Sequence, residues 1–234
     1  MKEAAIVSGD IIASTSLNDA DRKTLGECLI KMTHRLNRTF NVYSRLTEGN
    51  DYIDCYVPKM SDAMRVMLAI KCLVKSIPIG ADTSINQTDN RSKFFRIHGI
   101  RLALGIGELS RLDTQNGIID GEAIYYSGRI ISENRTYNKE KVIIKNTLFI
   151  KTNDKDIDDE ISTLLALLDV ILSKCTAKQS QVLYLKLLGY DELFIVRALR
   201  KKQATINGHS TSAGWNAIEK AVLRFETVVK NRKE

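Results

Sequence analysis

The chain opens on an apolar run, Ala4-Ala5-Ile6-Val7, that stops at Gly9-Asp10 and reads as a buried strand followed by a turn. Asn18 or Asp19 caps a helix in which Leu25, Leu29, Met32 and Leu36 form one apolar stripe. Residues 42–46 and 52–57 read as two strands joined at Glu48-Gly49-Asn50-Asp51, where Gly and Asn supply the positive φ angles of a hairpin turn. Ser61 caps a second helix with Met64, Met67, Leu68 and Val74 inward and Pro78 beyond its end. Residues 79–92 are polar, contain Gly80, Asn86 and Asn90, and show no period, which predicts a mobile loop. Residues 95–105 alternate and then turn apolar, as a central strand does; residues 122–132 predict a helix, and residues 141–150 hold two β-rich pieces. The order through residue 150 is β-α-β-β-α-β-α-β, an α/β (α+β) sandwich of sheet and helices.

Beyond residue 150 the strand signal almost vanishes. An acidic linker, 153–157, leads into a helix over 158–174 that is apolar most of the way round and should be buried on more than one side. Residues 176–189 are a capped amphipathic helix ending at Gly189, and Asp191 caps a short helix through Ile195 and Leu199. Arg200-Lys201-Lys202 forms a turn, and Gln203 to His209 open the next helix. Trp215, Ile218, Val222 and Phe225 recur at helical spacing, as core or dimer contacts. Two short helices at a sharp turn, with polar residues on the second, follow the helix-turn-helix plan. The division expected is an α/β domain over 1–152, a linker and connecting helix over 153–175, and an all-α helix-turn-helix domain over 176–234.

Charge sharpens this division. Residues 174–234 hold 12 Lys and Arg against 5 Asp and Glu, so 12 − 5 = +7, equal to the formal charge of the whole chain. Residues 1–173 are therefore neutral overall. A positive excess confined to one end points to an anionic partner, double-stranded DNA first, or else to a solvated basic surface. No apolar run approaches the roughly 20 residues that span a bilayer, and the N-terminus lacks the pattern of a signal peptide. The expectation is a cytoplasmic protein with no membrane partner. Cys28, Cys55, Cys72 and Cys175 are too far apart in sequence for a zinc-type pair and read as apolar fillers; His34, His98 and His209 are scattered too, so no structural metal site is expected.

Chemistry concentrates at the strand ends. Ser8-Gly9-Asp10-Ile11-Ile12-Ala13-Ser14 places a carboxylate where backbone amides follow it, and Glu48-Gly49-Asn50-Asp51-Tyr52 places another in the hairpin. Two carboxylates converging there, Asp10 and Asp51, can hold Mg²⁺ and through it phosphate oxygens; otherwise they are turn residues.

Gly9-Asp10-Ile11-Ile12, the hairpin Gly49-Asn50-Asp51-Tyr52, the strand Ile100 to Glu108, and Gly121 to Arg129 resemble, in order, four motifs of class III nucleotide cyclases. Asp120-Gly121-Glu122-Ala123 with Ser127-Gly128-Arg129 is more similar still to the SatD-like bacterial proteins, a cyclase-like domain with an appended helix-turn-helix. That resemblance covers essentially the whole chain. It implies a ferredoxin-like, cyclase-like sandwich, with Asp10 as the first metal ligand and either Asn50 or Asp51 at the second. Tyr125 stands where the transition-state Asn belongs, Arg129 is kept, and no purine-selecting Lys or Asp is evident. Losing one charge-stabilising group typically costs about a hundredfold in rate. The implied remnant is a phosphate- or nucleotide-sensing pocket built on Asp10, the amides of Ile11, Ile12, Ala13 and Ser14, and Arg129, with Mg²⁺ or a nucleotide as candidate ligand.

The helical end resembles LuxR-type and sigma-factor region-four helices at Gly189, Ile195, Leu199, Thr205, Ile206 and His209, and departs from them at Val196, Lys201 and Gly208. If it binds DNA, Gln203 and Asn207 can each pair bidentately with an adenine edge, while Lys178, Arg200, Lys201 and Lys202 meet phosphates. Thr205 and His209 complete the candidate surface. Cyclase-like domains usually pair, so a homodimer is expected. The reading is a DNA-binding regulator with a degenerate sensing or dimerisation domain. The runner-up is a nucleotide-binding or nucleotide-converting enzyme with a helical partner-docking domain.

Overall fold

The structure, a computed structural model, describes residues 2–47, 49, 51–79, 91–134 and 144–231. In chain order the first part runs β1 (Lys2–Ile11), α1 (Asp19–Phe40), β2 (Tyr43–Leu46), β3 (Tyr52–Val57), α2 (Ala63–Ser76), α3 (Arg91–His98), β4 (Ile100–Asp113), β5 (Ile118–Gly121), α4 (Glu122–Glu133) and β6 (Leu148–Lys151). Five helices follow: α5 (Lys155–Lys174), α6 (Ala177–Leu187), α7 (Glu192–Leu199), α8 (Gln203–Ser212) and α9 (Trp215–Asn231). It is an α+β fold with a helical C-terminal region.

The sheet order is β2-β3-β1-β4-β5, antiparallel throughout, with β6 added parallel to β4 beside Leu102–Gly105. β1 is central, Ala5 lying opposite Val57 of β3 and Ile106 of β4. Alternation along it sends Ala5, Val7 and Ile11 to a face covered by α1 and α2, and Ile6, Ser8 and Asp10 to the face covered by α4. The second contact is close: a Cβ on Gly105 would sit 2.0 Å from the Ala123 carbonyl oxygen, so only glycine lets α4 lie on β4.

Several expectations need correction. Residues 95–98 are helical, not strand. Gly99, at φ +65°, closes α3 by donating its N–H to the Phe95 carbonyl at 2.6 Å, and β4 begins only at Ile100. Ser61 does not cap α2; it lies in a one-turn 3-10 helix, Met60–Asp62, that feeds α2 directly. The supposed linker is shorter, because the Asp154 carboxylate accepts from the Asp156 and Ile157 amides and starts α5 at Lys155. Of the two β-rich pieces over 141–150, residues 141–143 lie outside the described residues and only Leu148–Lys151 pairs. The predicted loop lies largely outside them as well, at residues 80–90.

The helical region is not separated from the sheet by a break in the core. One contiguous set of buried apolar side chains runs from Ala5 to Val229. α2 is buried nearly all round, between the sheet and helices α6 and α9, and Arg65 on α2 pairs with Glu226 on α9 at 3.0 Å. Inside this layer sits a charge. Lys71, fully buried, donates to the Ile100 carbonyl at 2.8 Å and to the Thr147 hydroxyl, and its ammonium lies 3.6 Å from Asp169 on α5. The Thr147 hydroxyl in turn donates to Asp169 at 2.6 Å, and the Thr147 amide donates to the other oxygen. Burial pushes the Lys71 ammonium down to about 8, with Asp169 pulling the other way. Lys75, one turn on, donates to the carbonyls of Ile97 and, at 3.2 Å, Ser173.

Removing one member of a buried pair leaves the other charge without compensation, which costs about 3–5 kcal/mol. Asp169→Ala is therefore expected to lose that much in urea unfolding. The double variant Lys71→Met with Asp169→Leu should recover most of it, since an apolar pair removes both desolvation costs. A single-variant loss below about 1 kcal/mol would contradict this assignment of the pair.

Candidate functional site

The sheet ends were expected to bring Asp10 and Asp51 together. β1 and β3 instead place them on opposite faces. Asp10, opposite Tyr52, is on the α4 face, where Arg101 of β4 donates to its carboxylate at 3.1 Å. Asp51 follows the hairpin and accepts from the Thr47 hydroxyl at 3.0 Å on the α1 side, while its backbone oxygen takes the Ile11 N–H at 2.8 Å. Asn50, the other candidate for the second position, lies outside the described residues. On the face that carries Asp10, the nearest carboxylate of β3 is Asp54, which accepts from Ser8 at 2.7 Å and from Arg45 at 2.7 Å. Each acid on that face thus has its own guanidinium. Among the described residues no three metal-ligating side chains cluster. The two-aspartate Mg²⁺ site implied by the resemblance does not fit these residues.

The amide cradle is also reduced. The N–H groups of Ile11 and Ile12 are taken by the carbonyls of Asp51 and Gly99, and both side chains are core. Only Ala13 and Ser14 remain of the four expected donors. Ala13 is left-handed, at φ 57°, a conformation costing a non-glycine residue about 1 kcal/mol. Beyond it a cleft of about 160 Å³ is lined by Ser14, Thr15, Leu17, Arg22, Leu25, Gly49 and Asp51. Arg129 is elsewhere. Ala123, Ser127 and Ile131 turn toward the sheet, so Tyr125 and Arg129 lie on the outer side of α4, with Arg129 donating to Glu133 at 2.8 Å and Tyr125 at 3.2 Å.

Sequence reasoning passed over Arg22, Thr15, Arg101 and Asp54. Arg101 had a signal: a cation inside Ile100-Arg101-Leu102-Ala103-Leu104 must find a partner once that strand is buried. Arg22 had none, since a lone cation in the first turn of a helix is ordinary surface.

At the helical end the residues 200–209 lie along one turn and the helix that follows it. α7 is capped by Asp191, whose side chain accepts from the Phe194 amide at 2.7 Å. Arg200 closes α7 in the left-handed region, at φ 51°, where glycine is the usual choice. Lys202 is the N-cap of α8 with no side-chain hydrogen bond, whereas α5, α6 and α7 all start on a capping carboxylate or hydroxyl. Arg200, Lys201 and Lys202 are exposed, and among the described residues they form no ion pair. α8 buries Ile206 and Ser210, leaves His209 half-buried, and exposes Gln203, Ala204, Thr205, Asn207, Gly208, Thr211 and Ser212. Lys178 is exposed in the first turn of α6. Trp215 is half-buried beside Lys186, while Ile218, Val222 and Phe225 are core.

No protein-family model matches the chain, and no curated protein is significantly similar to it in sequence. Two structures of a bacterial light-regulated adenylyl cyclase align with 64% and 63% of this chain, at 13% and 14% identity and a TM-score of 0.43 in each case. The aligned part spans 43% and 42% of those chains, less than half their length. A likeness of that size carries neither their activity nor their residues onto this chain.

Lys201 and Lys202 sit at the positive end of the α8 dipole with no side chain capping it, which is locally unfavourable, whereas Arg200 lies at the C-terminal end of α7, where a cation is favoured. Lys202→Asp should therefore stabilise the fold by about 1 kcal/mol, raising Tm by roughly 2–4 °C in a chain of this size. A fall in Tm would show that the cation has a structural role inside the chain.

Proposed function

We propose that the protein binds duplex DNA through α7 and α8, with α8 in the major groove and the turn at 200–202 on the phosphates. The observation that carries this reading is the coincidence at one exposed place of an uncapped helix start, three cations that form no ion pair among the described residues, and a helix with no acidic residue. Phosphate oxygens would relieve both local costs at once, as anions at a helix N-terminus and as counter-charges. The neutral amides of Gln203 and Asn207 on α8 suit the paired donor and acceptor of an adenine edge. Helices α5, α6 and α9 supply the rigid platform, through their shared core with α2.

Each phosphate neutralised contributes about −0.9 to the slope of log affinity against log salt. Replacing Lys201 and Lys202 together with Ala should weaken binding to every sequence and flatten that slope by about 2. Anisotropy titrations at several salt concentrations measure it. Absence of duplex binding by the wild type at low salt would refute the reading and leave α7 and α8 as a protein-docking surface.

A second reading rests on the cleft beside Ala13. Its hydroxyls from Ser14 and Thr15 and its Arg22 guanidinium suit a phosphate group, and a left-handed alanine there is the kind of local strain found at ligand sites. At about 160 Å³ the cleft is below the roughly 300–1,000 Å³ of pockets that enclose a whole organic ligand, so it would hold a phosphate end rather than a nucleotide. Inorganic phosphate at ten times its Kd should stabilise the wild type by about 1.4 kcal/mol and leave Arg22→Ala unchanged. An unshifted wild-type melting curve across millimolar phosphate would remove this reading.

A further inference from the structure

The outward face of α8 contains more information than a general affinity for DNA. Gln203, Asn207 and Thr211 stand at successive fourth positions and form one exposed row. The Thr211 hydroxyl lies 3.4 Å from the Asn207 side-chain oxygen, toward which it donates, so the two side chains of the row are in contact. Beside this row the crest of the helix, opposite buried Ile206, is Ala204 and Gly208, a methyl group and bare backbone. A Cβ on Gly208 would meet no atom within 4 Å, and its φ is not left-handed. Nothing inside the chain therefore requires glycine there, although glycine in a helix interior costs about as much as a lost cap. A crest without side chains lets the helix axis come close to whatever faces it, and brings the amide row within reach of a groove floor.

The chemistry of that row selects among base pairs. Guanine presents two acceptors, N7 and O6, which are read by the paired donors of Arg or Lys. α8 has neither residue anywhere between Gln203 and Ser212. Adenine presents an acceptor and a donor side by side, which an Asn or Gln amide matches with both its atoms, and thymine presents a methyl group that Ala or Thr can touch. The cations all precede the helix, in the turn, where they meet phosphates and carry no sequence choice. Resting on the DNA-binding reading above, we infer that α8 recognises an A·T-rich major-groove sequence, with Gln203 and Asn207 each on an adenine and Ala204 and Gly208 against the thymine side.

The test is selection of bound duplexes from a random library with the full chain, followed by anisotropy titrations of the best duplex. Selected sites should be rich in A·T pairs. Exchanging a contacted A·T for G·C should weaken binding roughly 5- to 150-fold. Asn207→Ala should reduce that discrimination by a similar factor and leave binding to unrelated duplex nearly intact. Gly208→Leu should keep or raise Tm, because leucine is the better helix former and meets no neighbour, yet bring specific binding down to the non-specific level. Selection of G·C-rich sites, equal binding to all sequences, or full specific affinity in Gly208→Leu would each overturn the inference while leaving DNA binding standing. Failure of the wild type to bind any duplex at low salt would instead overturn the DNA-binding reading, and this inference with it.

Discussion

The buried Lys71 ammonium ties the sheet to the helices that follow it. Lys71 has no route to water, so α2, the carbonyl at the start of β4, the Thr147 segment ahead of β6 and Asp169 on α5 must all be in place before its charge is satisfied. A hydrophobic side chain at that position would tolerate sliding of α5 by a turn. The ion pair does not, because a displaced Asp169 would leave two charges desolvated and apart. The cost of burial is visible in the Lys71 ammonium itself, held down to about 8 despite the carboxylate beside it. The same layer affects its neighbours: burial and then the Lys71 cation push His98 down to about 4, so that side chain stays neutral in ordinary conditions. What this constraint fixes is the docking of α5 on the sheet, and with it the placement of every helix after residue 155.

That placement decides which surfaces are free. α6 and α9 spend their apolar faces on α2 and on the turn that precedes it, and Arg224 of α9 clasps Glu160 of α5 at 2.6 Å. α8 is held from beneath by Ile206 and Ala213, both buried, and nothing within the described residues lies over its outer side. A helix face is held only as firmly as what lies beneath it. Here the supports are the core of the whole molecule, so α8 does not belong to a loosely tethered tail even though it falls near the end of the chain.

Much of this was legible in the residues. The boundaries of α6, α7 and α8 follow from Thr176, Asp191 and the basic turn, since caps act within one turn and owe little to tertiary structure. β1, β3 and α1 follow from apolar period. The errors share a cause, which is that local pattern does not carry distant pairing. Residues 95–98 alternate like a strand, yet Phe95 is needed in the core and Gly99 permits the turn that ends a helix there. The Asp10 and Asp51 carboxylates look like a pair in sequence because one stands at the end of a strand and the other in a hairpin turn. They part because Asp10 lies opposite Tyr52, and period two then turns Asp51 to the other face. Lys71 and Arg101 each announced themselves as a charge within an apolar run, but their partners, Asp169 and Asp10, lie too far along the chain to be named from the sequence.

The distribution of paired and unpaired charge draws these strands together. Around the sheet several guanidiniums answer carboxylates, Arg45 to Asp54 and Arg101 to Asp10, with Arg65 reaching across to Glu226, while Arg22 donates to the Thr15 carbonyl. Such pairing leaves little net field and suits a structural layer. The turn before α8 is different in kind. Its three cations point to solvent, one of them in a backbone conformation better suited to glycine and another where a carboxylate or hydroxyl would serve the helix better. Within a folded chain these choices weaken the local structure, and an Asp or Ser at 202 would be no harder to accommodate. Among the described residues no ion pair offsets these local costs, and departures of this kind from a fold's own preferences mark the turn as the place to test for a ligand.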